Sequence, residues 1–147
     1  MENPTDDEIR DILNSVRVIA LVGWSLNPDR PSHGVAAYLA REGYRVIPVN
    51  PGHAGRMALG EVVQPSLLAI AGPVDMVDIF RRSEEVGPVV DDAIKIGARV
   101  VWMQLGVIND PAATRARTAG LCVVMNRCPA IERPRLGMSS KAQSYRT

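Results

Sequence analysis

Apolar residues recur along this chain in two alternating rhythms. Ile9, Ile12, Leu13 and Val16 fall on one face at helical spacing, preceded by Thr5 and Glu8 at capping-box spacing. A short amphipathic helix is predicted there. Val16 to Val22 follows as a compact apolar run with one charge, Arg17, and Gly23 closes it. A run rich in β-branched residues, without in–out alternation, predicts a strand buried on both faces of a parallel sheet.

The same couplet then repeats. Ser32 is placed to cap a helix running to about Glu42, with Val35, Ala36 and Leu39 inward and Gly43 as its stop. Tyr44 to Val49 reads as the second strand, punctuated by Pro51 and Gly52. A loop and a short helical stretch around Pro65 to Ala71 lead to a third strand, Val74 to Phe80. Pro88 suits the first turn of a helix with Val89, Val90, Ala93 and Ile94 on its apolar face, ended by Gly97. Ala98 to Met103 is the fourth strand. Asp110-Pro111 opens the next helix, Gly120 ends it, and Leu121 to Met125 is the fifth strand.

Strands alternating with helices of about ten residues specify an α/β fold. Right-handed crossovers make it a Rossmann-like, doubly wound five-stranded parallel sheet with helices on both faces, its strand order reversing beside the first strand. One domain covers residues 1–136, and the polar tail from Gly137 to the end at residue 147 reads as loose.

Composition narrows the function. At 147 residues the chain can bury a core without disulfides or metal. Its net charge of +1 gives no global field for nucleic acid or an anionic membrane, so any anion site is local. Cys122 and Cys128 match neither a redox pair nor a zinc knuckle. The acidic opening lacks the parts of a signal peptide, and no apolar run reaches the roughly 20 residues of a membrane span. The expected setting is reduced and cytoplasmic, without membrane or nucleic-acid partners.

Ligands of doubly wound sheets lie beyond the carboxyl ends of the strands, so the residues that follow each strand carry the chemistry. Gly23-Trp24-Ser25 closes the first strand, and Arg30-Pro31-Ser32 leads into the next helix. One glycine at the turn, without G-x-G-x-x-G spacing, departs from the dinucleotide fingerprint. Free N–H groups at the helix start, with Arg30 beside them, suit a phosphate instead; the plainer role for Arg30 is to pair with Asp29. The second strand ends in Val49-Asn50-Pro51, where a dehydrogenase of this fold places an acid on the ribose hydroxyls. That difference argues against NAD. A carboxylate there would repel a 3′-phosphorylated ribose such as that of coenzyme A. Asn50 between Pro48 and Pro51 offers a neutral shelf for an adenine face, the plainer role of the prolines being to stiffen a loop. Phe80-Arg81-Arg82 follows the third strand, and one of the two arginines is expected to face the ligand and the other solvent. Pairing with Glu84, Glu85 or Asp78 is their alternative. Met103-Gln104 ends the fourth strand and Asn126-Arg127-Cys128 follows the fifth.

Catalytic groups do not assemble in the sequence. His33 and His53, the only histidines, lack metal-ligand spacing, and a lone loop histidine is usually a solvated side chain. Ser25 has no nucleophile-elbow context. Asp75 and Asp78 form no evident acid–base pair. Cys128 has no base partner in view, although its thiol is a candidate for oxidation or a mixed disulfide.

Read together, Gly23-Trp24-Ser25, Pro28 to Ser32, Gly43 to Pro51, Pro73 to Ser83, Val101 to Gly106 and Met125 to Cys128 strongly resemble the small stand-alone CoA-binding domain proteins. These are similar to the CoA-binding domain of the succinyl-CoA synthetase α subunit. The resemblance spans about Asp6 to Leu136. It implies coenzyme A or an acyl-CoA lying across the strand ends. Gly23 to Ser25 and Arg30 to Ser32 would hold phosphate; Val49, Asn50 and Pro51 would border adenosine; Phe80, Arg81 and the Met103–Gln104 turn would line the pyrophosphate and pantetheine path. The ligase's active-site histidine belongs to a domain with no counterpart in this sequence. The expectation is therefore a binding module, carrier, sensor or partner subunit without its own catalytic centre, open to a protein partner or a second copy. The alternatives are an enzyme or enzyme subunit of acyl-CoA metabolism, and an interaction protein whose nucleotide site is vestigial.

Overall fold

The computed structural model describes residues 3–140. Helix α1 (Asp6–Ser15) opens with the capping box read from the sequence: the Thr5 hydroxyl accepts from Glu8 N, and the Glu8 carboxylate accepts from Thr5 N. Strand β1 (Val18–Val22), helix α2 (Pro31–Arg41) and strand β2 (Arg45–Val49) follow. A small antiparallel hairpin, β3 (Met57–Ala58) and β4 (Glu61–Val62), precedes β5 (Met76–Ile79). The chain then runs through α3 (Val86–Lys95), β6 (Val100–Met103), α4 (Asp110–Thr118), β7 (Cys122–Val124) and α5 (Pro129–Arg135).

The main sheet has five strands in the order β2-β1-β5-β6-β7, every pair parallel. Its order reverses at β1, which puts the switch point between β1 and β5, as expected for a doubly wound Rossmann-like sheet. Strand residues alternate between the two faces. Ala20, Val22, Val77, Ile79, Val101 and Met103 meet Val86, Val90 and Ala93 of α3 and the alanines of α4 in one core layer. Ile19, Leu21, Met76, Val100 and Trp102 meet α1 and α2 on the other face. Both faces are covered, and that is why the strands carry near-continuous apolar runs.

The element ends show where local chemistry competes with hydropathy. Val16, read as the first strand residue, is instead the C-cap of α1. The strand starts at Val18 because the Asp75 carboxylate accepts from the backbone N–H groups of both Arg17 and Val18 at 2.9 Å, pinning the strand entrance. Ser32, read as a helix cap, sits buried inside the first turn of α2. Arg30 holds the N-cap position and Pro31 the first helical one, where a missing N–H costs nothing. The helix read from Pro88 starts earlier, at Val86, behind a 3-10 turn over Ser83–Glu85. The helical stretch read over Pro65 to Ala71 is a single 3-10 turn, Leu67–Ala69.

Two elements were not legible in the sequence, the β3–β4 hairpin and α5. Helix α5 carries Pro129 and an internal Pro134, and it buries two charged residues, Glu132 and Arg133. Arg133 donates to the Tyr44 hydroxyl at 2.8 Å and to Ser139 O at 2.6 Å, and its guanidinium lies 5.3 Å from the centre of the Tyr44 ring. These contacts continue the ordered chain beyond Leu136: Met138 packs on the core and the Ser140 hydroxyl donates to Glu42 O. The rest of the tail read as loose lies outside the described residues. Among the described residues no helix is long and apolar enough to cross a membrane.

Asp78 is the outlier of the core. It sits fully buried in the central strand β5, between Leu21 and Trp102 of the neighbouring strands. Neither carboxyl oxygen has a hydrogen-bond partner among the described residues, and burial holds the carboxyl well above its ordinary titration range.

Candidate functional site

Five strands end on the same edge, and their loops are laced together by side chains bonded to backbone. Gly23 N and Trp24 N both donate to Val49 O, closing the ends of β1 and β2 on each other. Asn50 strengthens that closure with a bond from its Nδ2 to Trp24 O at 2.7 Å. Ser83, after β5, is tied to the loop after β6: its hydroxyl accepts from Ile108 N at 3.0 Å, and its carbonyl accepts from Asn109 Nδ2 at 2.8 Å. Asn126, after β7, accepts from Gly106 N at 2.7 Å in a left-handed conformation with φ of 58°. The edge is a preformed rim.

Gly23 lets the rim close. Its φ is +90°, and a Cβ at this position would drive into the carbonyl oxygen of Phe80. Only glycine allows β1 to turn this tightly against β5.

Two clefts open on either side of Gly23. The first, about 720 Å³, lies on the α2 and α5 side. It gathers Gly23, Ser25, Arg30, Pro31, Ser32, Phe80, Arg81, Arg82 and Gln104 from the residues singled out in the sequence. Among the described residues its lining contains three guanidinium side chains and no carboxylate. Arg30 is exposed and makes no ion pair among the described residues, whereas Arg81 pairs with Glu85 at 2.5 Å and Arg82 leans on the same carboxylate at 3.8 Å. The expected division, one arginine to the ligand and the other to solvent, does not occur: both line the cleft, and both lean on Glu85, the partner given as their alternative. The second cleft, about 530 Å³, lies on the α3 side and contains Gly23, Val49, Pro51 and Arg81. Gly23 and Arg81 belong to both, so the clefts meet at the switch point.

Three residues expected at the site line neither cleft. Met103 is fully buried in the core layer under α3 and α4, because the last residue of β6 points down between the helices. Trp24 is almost fully buried, stacked on His33 with ring centres 5.7 Å apart and meeting His53 edge-on at 6.0 Å. Asn50 spends both ends of its amide on backbone, Nδ2 on Trp24 O and Oδ1 on Gly52 N. Trp24 and Asn50 shape the rim from behind. The histidines do the same, with His33 Nδ1 donating to Ser25 O at 2.9 Å.

The site residues singled out in the sequence leave out the apolar wall of the first cleft, made by Val35, Leu105, Val107 and Ile131, while Cys128, placed after the fifth strand, lies within it. Leu105 lies two residues past the end of β6, in the loop whose first residue, Gln104, was singled out; Ile131 rides on α5, which had no sequence signal. In the second cleft Pro65, Ser66 and Leu67 were missed because they lie well downstream of β2. The hairpin returns them: Asn50 N donates to Gln64 O and Gln64 N to Pro48 O, each at 2.9 Å. Among the described residues no group of histidine, cysteine, aspartate or glutamate side chains is arranged to hold a metal.

A doubly wound parallel sheet with a cleft at its switch point places the protein in the Rossmann-like class of α/β domains. Within that class the chain belongs to the CoA binding domain family, whose model matches residues 17–134. It is 41% identical over 128 residues to the uncharacterized protein YneT of Bacillus subtilis (strain 168), covering 87% of this chain and 93% of that protein. The solved structure of a Thermus thermophilus protein, cell-free ID.343, superposes with a TM-score of 0.87 at 35% identity, over 90% of this chain and 99% of that one. More distantly, at 24% identity and a TM-score of 0.62, the fold recurs in an acetyl-coenzyme A synthetase of Ca. Korarchaeum cryptofilum, over 72% of this chain and 25% of that one.

Proposed function

We propose that this protein binds coenzyme A or an acyl-CoA across the carboxyl ends of β1, β5 and β6, as a carrier, sensor or partner subunit without a catalytic centre of its own. The observation that carries the reading is the meeting of two clefts at Gly23 and Arg81. A ligand that spans both must be long, bent and anionic at its waist. Coenzyme A has that shape, with a pyrophosphate between a flat adenosine and a thin amide-bearing arm.

The chemistry of the walls supports one orientation. Val49, Pro51, Leu67, Pro88 and Val89 give the second cleft an apolar floor that suits a purine face. Glu84, Glu85 and Asp92 on its outer wall repel phosphate, so the anionic waist belongs at Gly23, Arg30 and Arg81. The pantetheine arm then enters the first cleft along Phe80, Gln104 and Leu105. The candidate acid–base groups serve the framework: both histidines pack on Trp24, the Ser25 hydroxyl accepts from Asn27 N, and Asp75 pins the start of β1.

Calorimetric titration of the purified protein with CoA, dephospho-CoA and NAD tests this. Saturable binding of CoA, silent with NAD, is the expected result, with dephospho-CoA binding no more weakly because Glu84, Glu85 and Asp92 line the cleft that takes the adenosine. Heat from none of the three, with no thermal shift, would leave a fold kept without its ligand.

A further inference from the structure

We propose that Cys128 is a covalent docking point for the thiol end of the ligand, an exchange site that takes CoA from its oxidised disulfide form and holds it as a mixed disulfide. The inference rests on the CoA reading and adds a bond to it.

Cys128 is a free thiol, only 5% exposed, and what it does expose is on the wall of the first cleft. Its position is fixed rather than incidental. Arg127 N donates to Met103 O, Trp102 Nε1 donates to Arg127 O at 2.9 Å, and Asn126 holds Gly106 N, so the turn carrying Cys128 is clamped to the end of β6. An independent feature of the same wall points to a ligand. Gln104 is 5% exposed, and its Oε1 has no hydrogen-bond partner among the described residues. A buried amide oxygen left without a donor is unfavourable, and what it lacks is an N–H. A molecule that is anionic at one end, carries amide N–H groups along its arm and finishes in a thiol matches the guanidiniums, the orphaned oxygen and the cysteine of one cleft. The exposed side chains of Leu105 and Ile131, at 56% and 52%, flank the path.

The step is thiol–disulfide exchange. Cys128 gives its proton to solvent, and the thiolate attacks one sulfur of CoA disulfide. The S–S bond of the reagent breaks as the Cys128–S–S–CoA bond forms. The second CoA leaves as a thiolate and takes up a proton. Cys128 is oxidised, the released CoA is the reduced product, and no further oxidant is required.

Cys122 provides an internal control. It is exposed at the start of β7, in a separate depression beside Asn3, Glu8 and Arg117, at the opposite end of the sheet from the cleft. The wild-type protein is incubated with CoA disulfide, and in parallel with glutathione disulfide, and followed by intact mass and peptide mapping without reductant. One CoA per chain on the Cys128 peptide, reversed by dithiothreitol and formed about tenfold or more faster than the glutathione adduct, is the expected outcome, because a bound reactant raises the effective concentration at the thiol. Equal rates with the two disulfides, or labelling of Cys122 in preference to Cys128, overturns the proposal. An absent adduct combined with normal calorimetric binding of reduced CoA removes the covalent step alone. Absence of both removes the CoA reading with it. Cys128→Ser and Cys128→Ala, checked for thermal unfolding, should abolish the adduct.

Discussion

Asn50 and Trp24 are joined across the rim by a single bond, Asn50 Nδ2 to Trp24 O at 2.7 Å, and Asn50 Oδ1 accepts from Gly52 N at 2.8 Å. One side chain thus holds the loops after β1 and β2 in fixed relation without lining either cleft. Asn50→Ala frees both backbone groups, and Asn50→Asp keeps the acceptor but sets a carboxylate against a carbonyl. Each is expected to cost about 1–3 kcal/mol in urea unfolding, the usual penalty for groups left without partners, and to weaken CoA binding in step. Lost affinity at unchanged stability would instead mean that Asn50 touches the ligand directly.

Arg30 is the guanidinium with least to give up. It is exposed and has no ion pair among the described residues, whereas Arg81 would have to exchange Glu85 for a phosphate. Arg30→Ala is expected to leave the melting temperature unchanged and to weaken CoA by roughly 1.5–3 kcal/mol, the range for hydrogen bonds to charged groups. The loss should shrink as salt is raised. Affinity unaltered in low salt would take Arg30 out of the site.

The order of the elements could be read from hydropathy because every main strand is buried on both faces and every helix but one has an apolar stripe. That exception, α5, owes its place to Arg133, which is held by Tyr44 and Ser139, far away in sequence or beyond the helix end. No window of local sequence contains such a pair. Gly23, Arg30, Arg81 and Arg82 were legible as cleft residues because the fold gathers the ends of its parallel strands on one edge. Trp24, Asn50 and Met103 also follow or end strands, but their side chains turn into the rim or the core, a choice of direction that strand position leaves open. Pro65 to Leu67 reach the second cleft only through the hairpin's bonds to Pro48 and Asn50.

Gly23→Ala tests the rim directly. The new methyl would overlap the carbonyl oxygen of Phe80, and φ of +90° is a strained conformation for alanine. Phe80 cannot yield easily, since its own N–H donates to Val22 O at 2.8 Å. Destabilisation of more than about 2 kcal/mol is expected from strain and overpacking combined, together with loss of CoA binding. Gly55→Ala, at a position with φ of +89° but open space around it, separates backbone strain from the clash. Similar losses at the two positions would show that the contact with Phe80 does not matter.

Asp78 makes stability depend on pH in a direction opposite to most carboxylates. Burial raises its folded pKa well above 3.8, so the folded chain keeps a proton that the unfolded chain releases. Below about pH 4 both states are protonated and nothing is lost. Above it, stability falls as pH rises, by up to about 1.4 kcal/mol per unit, until the folded carboxyl itself ionises. Asp75 works the other way. Despite some burial, the N–H groups of Val18 and Arg17 and the nearby Arg99 hold it below 3.8, so its contribution is present at neutral pH and is lost on acidification. The difference between wild type and Asp78→Asn isolates the first effect, since Asp75 and the other carboxylates are common to both. An amide at position 78 cannot ionise, and its extra unpaired N–H adds an offset that does not change with pH. Urea unfolding from pH 4 to 8 is therefore expected to show the variant gaining on wild type as pH rises. Parallel curves would mean that the folded protein carries Asp78 as a paired anion, and the unpartnered carboxyl between Leu21 and Trp102 would have to be reassigned.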